Sequence, residues 1–411
     1  MRSAVVITGL GTLGAFGVGR EALSQVLASG QPPRLTTIDR AAGFHRPSGS
    51  RGAFLLGSRD LSALVSPATA RRMGAPSRMA LAAARLAVSD AGILETDPAF
   101  AETAVVISTA FGPALFTERL LSSIFKEGPE TASPALFTES VASAAASQVA
   151  LNLKARGPSL TVTQREAGDW IALGEGARLV RTGRARRALV GSVEEMTPLL
   201  HAILDRFHTL ATADESGEEV ARPLDRDRRG VVAAEGSTLL VLESESEAAA
   251  RGAKPLCRIV ATGAGFDPTA PDNGFGADPE GLGETLRRGI ERSGRRLHEI
   301  DLIASGAAGS IAGDRLEVLA LATAWRAAEA SLPVLWAPKS ALGEWGGGHL
   351  AAAVLAVSGA ALGPTHGYRT LDPELGVAPY DGRPLAAPKL CLATSVAAGG
   401  SMSWSLLEAV I

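Results

Sequence analysis

Ala4-Val5-Val6-Ile7-Thr8-Gly9-Leu10-Gly11-Thr12-Leu13-Gly14 opens the chain with a β-branched apolar run that ends in three spaced glycines, and two kinds of fold compete for it. A strand followed by G-x-G-x-x-G matches the phosphate turn of a dinucleotide-binding unit, and Asp39, closing a weak strand-like run over 36–39, stands where an acid could hold a ribose. That unit needs a helix starting at the third glycine, so that its N-terminus meets the pyrophosphate. Here Gly17 and Gly19 intervene before any helical periodicity. The glycines therefore read as a tight strand-to-helix turn, and no nicotinamide site is assigned.

Beyond this stretch, short apolar runs alternate with longer segments of 3.6 periodicity, which is the pattern of a sheet covered by helices. Strands are expected at 104–108, 159–163, 188–191 and 238–242, and helices at 20–28, 77–91, 115–125, 140–153 and 167–181. The segment 225–230, Asp-Arg-Asp-Arg-Arg-Gly, reads as an exposed polar turn, and 243–251 as a charged helix. A second cycle then follows, with strands at 257–262, 302–304, 390–393 and 402–408 and helices at 281–292, 314–328 and 350–362. The fold class is α/β, with two similar halves in one layered body, 1–250 and 251–411.

The 411 residues carry 40 basic and 43 acidic side chains, a net charge of -3. That balance argues against a nucleic-acid partner. The two cysteines, Cys257 and Cys391, are too few for a disulfide framework and wrongly spaced for a metal cage. No apolar stretch is long enough for a membrane span, and the first residues do not read as a signal peptide. A soluble cytoplasmic protein without metal or cofactor is expected. Only five of the basic residues are lysines, so a lysine inside a motif is conspicuous.

One such lysine is Lys339, in Pro338-Lys339-Ser340 with Gly343 following. Together with the opening strand, Gly157-Pro158-Ser159-Leu160-Thr161-Val162, Arg222-Pro223-Leu224-Asp225, Glu235-Gly236 and Gly399-Gly400, it resembles the β-ketoacyl synthases of fatty acid and polyketide biosynthesis over nearly the whole chain. The resemblance implies a thiolase-like fold with layers αβαβα. It also implies a cysteine nucleophile at a helix N-terminus and two histidines that donate to a thioester oxygen.

Those three residues are missing. Counted from Gly157-Pro158, the family's cysteine falls on Glu166. Counted back from Asp314 and Glu317, its first histidine falls on Gly306, and the second, a fixed step past Lys339, falls on Glu344. Cys257 and Cys391 read as inert core thiols. His349, five residues past Glu344 in a glycine-rich turn, is a weak substitute, and the other histidines show no partner pattern.

Loss of the cysteine is similar to the chain-length factors of iterative type II systems, whose Gln-Ala-Gly resembles Glu166-Ala167-Gly168. The resemblance implies a non-catalytic subunit that heterodimerises with an active ketosynthase, shapes the acyl tunnel and meets an acyl carrier protein. Phe111, Phe116, Phe137, Ala142, Ala145 and Ala146 are the tunnel or dimer-contact candidates, though an alanine-rich helix packed on a neighbour would look the same. The alternatives are an enzyme using Glu166, Glu344 and Lys339 for acid/base chemistry, and a homodimeric scaffold that binds the carrier protein.

Overall fold

The computed structural model describes residues 4–410. In the first part of the chain the strands are β1 (Val5–Gly14), β2 (Gly17–Val18), β3 (Thr36–Thr37), β4 (Gly52–Ala53), β5 (Thr103–Ser108), β6 (Ser159–Val162), β7 (Arg187–Glu194) and β8 (Gly236–Ser244). The helices among them are α1 (Arg20–Ser29), α2 (Pro67–Ala70), α3 (Ala75–Asp90), α4 (Ala114–Glu127), α5 (Pro134–Ser140), α6 (Ala144–Leu153), α7 (Gly168–Arg181) and α8 (Pro198–Arg206). After α9 (Glu245–Ala250) come β9 (Cys257–Phe266), α10 (Pro279–Arg292), β10 (Leu302–Ala304), α11 (Ile311–Ala327) and β11 (Val334–Trp336). The chain closes with α12 (Lys339–Leu342), α13 (Gly346–Val357), β12 (Leu390–Val396) and β13 (Ser401–Ala409).

The large mixed sheet runs β11-β10-β12-β13-β9-β1-β8-β7-β5-β6. Read outward from its centre, each side uses its own first, fifth, fourth, second and third strand, with the same parallel and antiparallel pairings. The two sides join through antiparallel β1 and β9, with Val5 opposite Ile259 and Ile7 opposite Cys257. Helices α7 and α13 touch strands of both sides, while α3 and α6 cover one outer face and α10 and α11 the other. The result is the thiolase-like αβαβα arrangement. A helix packed against both halves of the sheet has no polar face to offer water, and α13 is accordingly buried from Gly347 to Val357.

The glycine run at the start is not a turn. β1 continues through it, with all ten residues buried. A Cβ on Gly9 would stand 2.2 Å from the Ala87 carbonyl oxygen, and one on Gly11 would stand 2.0 Å from that of Ala83. These glycines let α3 lie directly on the strand, so their spacing reflects helix-on-sheet packing rather than phosphate binding.

Four other expectations are corrected. The helix expected over 140–153 starts only at Ala144, and Ser140 ends a separate helix, α5, where buried Glu139 takes hydrogen bonds from Gly74 N (2.9 Å), Ser77 Oγ (2.8 Å) and Gln148 Nε2 (2.7 Å). The helix over 350–362 begins earlier, at Gly346, where the glycines slide under the Trp345 ring. The run at 36–39 forms only a two-residue strand against Gly52–Ala53. The segment 225–230 is not simply exposed. Asp225 is buried and accepts from Asp227, Arg369 and Thr370 amides, and Arg228 is buried against Asp372 at 2.6 Å.

Candidate functional site

Each inner helix is entered through a glutamate two residues before its first glycine: Glu166-Ala167-Gly168 for α7 and Glu344-Trp345-Gly346 for α13. Because α7 and α13 lie side by side, both glutamates reach one cavity of about 500 Å³. Lys339 begins α12, just after β11. It is fully buried, and its Nζ donates to Glu344 Oε1 at 2.7 Å. Burial works against the ammonium, but Glu344, Asp169 and Glu166 outweigh it and hold the Lys339 pKa above its ordinary value.

Only one of the three surrounding acids is paired with that cation. Burial, reinforced by the Glu344 charge and eased by Lys339, pushes the Glu166 carboxyl up to about 6. Its Oε2 accepts from Ala398 N at 3.3 Å. Asp169, in the first turn of α7, is pushed up to about 7, again chiefly by burial. Its Oδ1 accepts from Trp170 N at 2.9 Å, and its Oδ2 has no partner. Asp169 was not singled out from the sequence, although its place one helical turn from Glu166 was a usable signal. Glu194, at the end of β7, is a second buried carboxyl on the cavity, raised to about 7 by burial.

Gly306 also lines the cavity, on the loop between β10 and α11. Its N–H donates to Glu317 Oε1 at 2.9 Å. A Cβ built on Gly306 would lie 2.6 Å from Ser395 Oγ and 2.8 Å from the Thr394 carbonyl oxygen. The loop has therefore closed over the place where a larger side chain would begin. Buried Glu317 and Asp314 hold it there: Glu317 also accepts from Ser305 and Thr394 hydroxyls, and Asp314 accepts from the amides of Leu224, Ala308 and Gly309.

His349 does not stand in for a missing imidazole. It sits inside α13 rather than in a turn, fully buried, with Nε2 2.9 Å from the Ala304 carbonyl oxygen and its ring edge-on to Trp170. Burial and the Lys339 charge lower its pKa to about 3, so it is a neutral core group. Cys257 and Cys391 are both buried in the apolar core between the sheets, and burial raises both thiol pKa values, that of Cys391 to about 12. His45 and His201, expected to lack a partner, do meet: Nε2 of one is 3.1 Å from Nδ1 of the other. Their separation of 156 residues hid the pair.

Of the tunnel candidates, Phe111 lines the cavity. Phe116 is half-buried on α4, and Phe137 is exposed on α5. Ala145 and Ala146 are buried in the apolar cluster of α3 and β5, and Ala142 and Ala145 border a void of about 10 Å³. The large cavity holds no cysteine, and its one histidine, His208, is an exposed residue bonded to Arg46. At Glu166 and Glu344 the cavity presents carboxyls rather than a thiol or an imidazole. Among the described residues, no helix is long and apolar enough to cross a membrane.

Comparison with known proteins bears on the fold and the family. Residues 2–248 match the model of the β-ketoacyl synthase N-terminal domain, and residues 256–368 that of the C-terminal domain. A 3-oxoacyl-[acyl-carrier-protein] synthase 2 of Synechocystis is 29% identical over 382 residues, covering 90% of this chain and 89% of the relative. One of Mycobacterium bovis is 31% identical over 325 residues, covering 76% and 75%. Among solved structures, the ishigamide ketosynthase/chain length factor matches with a TM-score of 0.88 at 27% identity, over the whole of both chains. The ordered motifs, the doubled sheet and the cavity between its inner helices have a common origin: this chain belongs to the β-ketoacyl synthase family.

Proposed function

We propose that this chain is a non-catalytic, ketosynthase-like subunit of the chain-length-factor type. In this reading it forms a cytoplasmic heterodimer with an active ketosynthase in type II polyketide or polyene biosynthesis, and it shapes the tunnel for an acyl chain delivered by an acyl carrier protein. The chain divides near residue 250 into two thiolase-like halves, the first carrying the partner contact. The observation that carries the reading is that Glu166, Gly306 and Glu344, the residues that motif counting sets against the family's cysteine and two histidines, all line one cavity. The crowding at Gly306 adds to it, since the loop around that glycine is no longer shaped for an imidazole. The likeness to a ketosynthase/chain length factor supports it as well, whereas the relatives in sequence carry the names of synthases.

A second reading keeps chemistry in the cavity, with Glu166 and Glu344 as acid and base beside Lys339, acting on a carrier-bound substrate. The raised carboxyl pKa of Glu166 favours it. Covalent catalysis through Glu166 is unattractive, because an anhydride is high in energy.

Co-purification from cells expressing the neighbouring genes, followed by intact-mass analysis after incubation with acyl and malonyl thioesters, separates these readings. A stoichiometric ketosynthase partner and no acyl adduct are expected. A homodimer without a partner would leave the carrier-protein scaffold, and an adduct or decarboxylation by the isolated chain would overturn the non-catalytic reading. In the complex, Phe116→Ala and Ala145→Trp test the tunnel. Unchanged product length in variants that still fold and pair would remove the chain-length role.

A further inference from the structure

The inner end of the cavity carries more acid than a tunnel wall requires. Glu166, Asp169 and Glu344 surround a single ammonium, and Lys339 bonds only to Glu344. Asp169 is 1% exposed, and its Oδ2 has no hydrogen-bond partner. Glu194, on the same cavity, is by contrast supplied with donors by Ala110 N and its neighbours Thr109 and Phe111. A buried carboxyl oxygen without a donor is costly and uncommon, and it marks a place where a donor is missing. The carboxylates do not form a metal-ligand set among the described residues. The walls leading outward are apolar, with Phe111, Met196, Ile203, Leu204 and Phe207 along one side.

We infer that this cavity binds an amphipathic primary amine, with its ammonium among Asp169, Glu166 and Glu344 and its alkyl chain along the Phe111 to Phe207 wall. An ammonium brings three donors and one positive charge, which is what three acids around one lysine lack. The remaining charged groups on the cavity do not compete for that role. Asp314 and Glu317 are occupied by backbone amides and hydroxyls. Arg165, half-buried beside Asn273, and Arg229 and His208, both exposed, are the cationic or titratable groups on the lining. The arginines make an alkyl carboxylate the stringent control, since it would find guanidinium partners.

Binding is coupled to protons. The carboxyls of Glu166 and Asp169, held up to about 6 and about 7 by burial, must ionise fully to face an ammonium, so binding releases protons and strengthens as pH rises.

The test is calorimetry of the full chain with octylammonium, octanoate and octanol at pH 5 and pH 8. Octylammonium is expected to bind about tenfold tighter at pH 8 than at pH 5, with heats that depend on buffer ionisation. It should also bind at least about tenfold tighter than either control. Glu166→Gln should weaken it by about tenfold at pH 8, and Phe207→Ala, at an exposed residue, should weaken it without changing the pH dependence. Equal binding of octanoate or octanol, affinity indifferent to pH, or a Glu166→Gln variant that binds like the parent would overturn the inference. None of these results bears on whether a ketosynthase co-purifies, so this site and the proposed pairing can fail separately.

Discussion

At the entrance to α7 the chain reads Glu166-Ala167-Gly168-Asp169, and at the entrance to α13 it reads Glu344-Trp345-Gly346-Gly347. Both segments follow a strand at the same place in their half of the sheet, and both bring a glutamate to the same cavity. They differ in how the charge is met. Glu344 has Lys339 five residues earlier on its own side, at 2.7 Å. Glu166 and Asp169 have no buried cation from their own half, and feel Lys339 only across the boundary between the sheets. The comparison teaches that a duplicated scaffold can repeat its geometry without repeating its electrostatics. One lysine neutralises one entrance and partly serves the other.

The largest way to break this asymmetry is Lys339→Met. It leaves three acids facing one another without a cation, and removing one partner of a buried pair costs about 3–5 kcal/mol. Urea unfolding should show that loss, and Lys339→Met combined with Glu344→Gln should recover part of it. A single variant as stable as the parent would mean that the lysine does not hold the site together.

The next effect is a pH slope. The folded-state pKa of Asp169 lies above the usual carboxylate value, so between about pH 4 and pH 7 the native state binds more protons than the unfolded chain. Its stability contribution is therefore present at low pH and lost as pH rises through the folded pKa. Asp169→Asn removes the titration and should gain on the parent by about 1.4 kcal/mol per pH unit across that window. Urea midpoints at pH 5 and pH 8 check this, and parallel stabilities of the two proteins would contradict it.

The smallest effect is expected at Glu166→Gln. Glu166 is only partly buried, and an amide oxygen can still accept from Ala398 N. By the same linkage the change in thermal unfolding at pH 7 should be a gain of no more than about 2 kcal/mol. A loss would mean that the entrance to α7 depends on the charge as strongly as the entrance to α13 does.

Much of this was legible in the chain. The strands at 104–108, 302–304 and 390–393 could be read from short apolar runs, β-branched only in the first, and the helices at 20–28 and 281–292 from their periodicity. The positions of Glu166, Gly306, Lys339 and Glu344 came from motif spacing. The three-residue β11 (Val334–Trp336), which lies just before the Pro338-Lys339-Ser340 motif, was not read from the sequence, nor was α8. The break between α5 and α6 coincides with Glu139 accepting from Gly74, just before α3, and from Ser77 in its first turn, some sixty residues away.

By itself, then, the sequence determined the α/β alternation, its duplication and the presence of Glu166, Gly306 and Glu344 at the steps where motif counting looks for a cysteine and two histidines, because these depend on local pattern and on order along the chain. Only the tertiary structure decided that Gly9 and Gly11 serve the contact with α3, that the loop at Gly306 is closed by Ser395 and Thr394, and that Asp169 joins Glu166 and Glu344 around one lysine. Each of those depends on which distant segments come within a few ångströms, and close packing between elements leaves no trace in local periodicity.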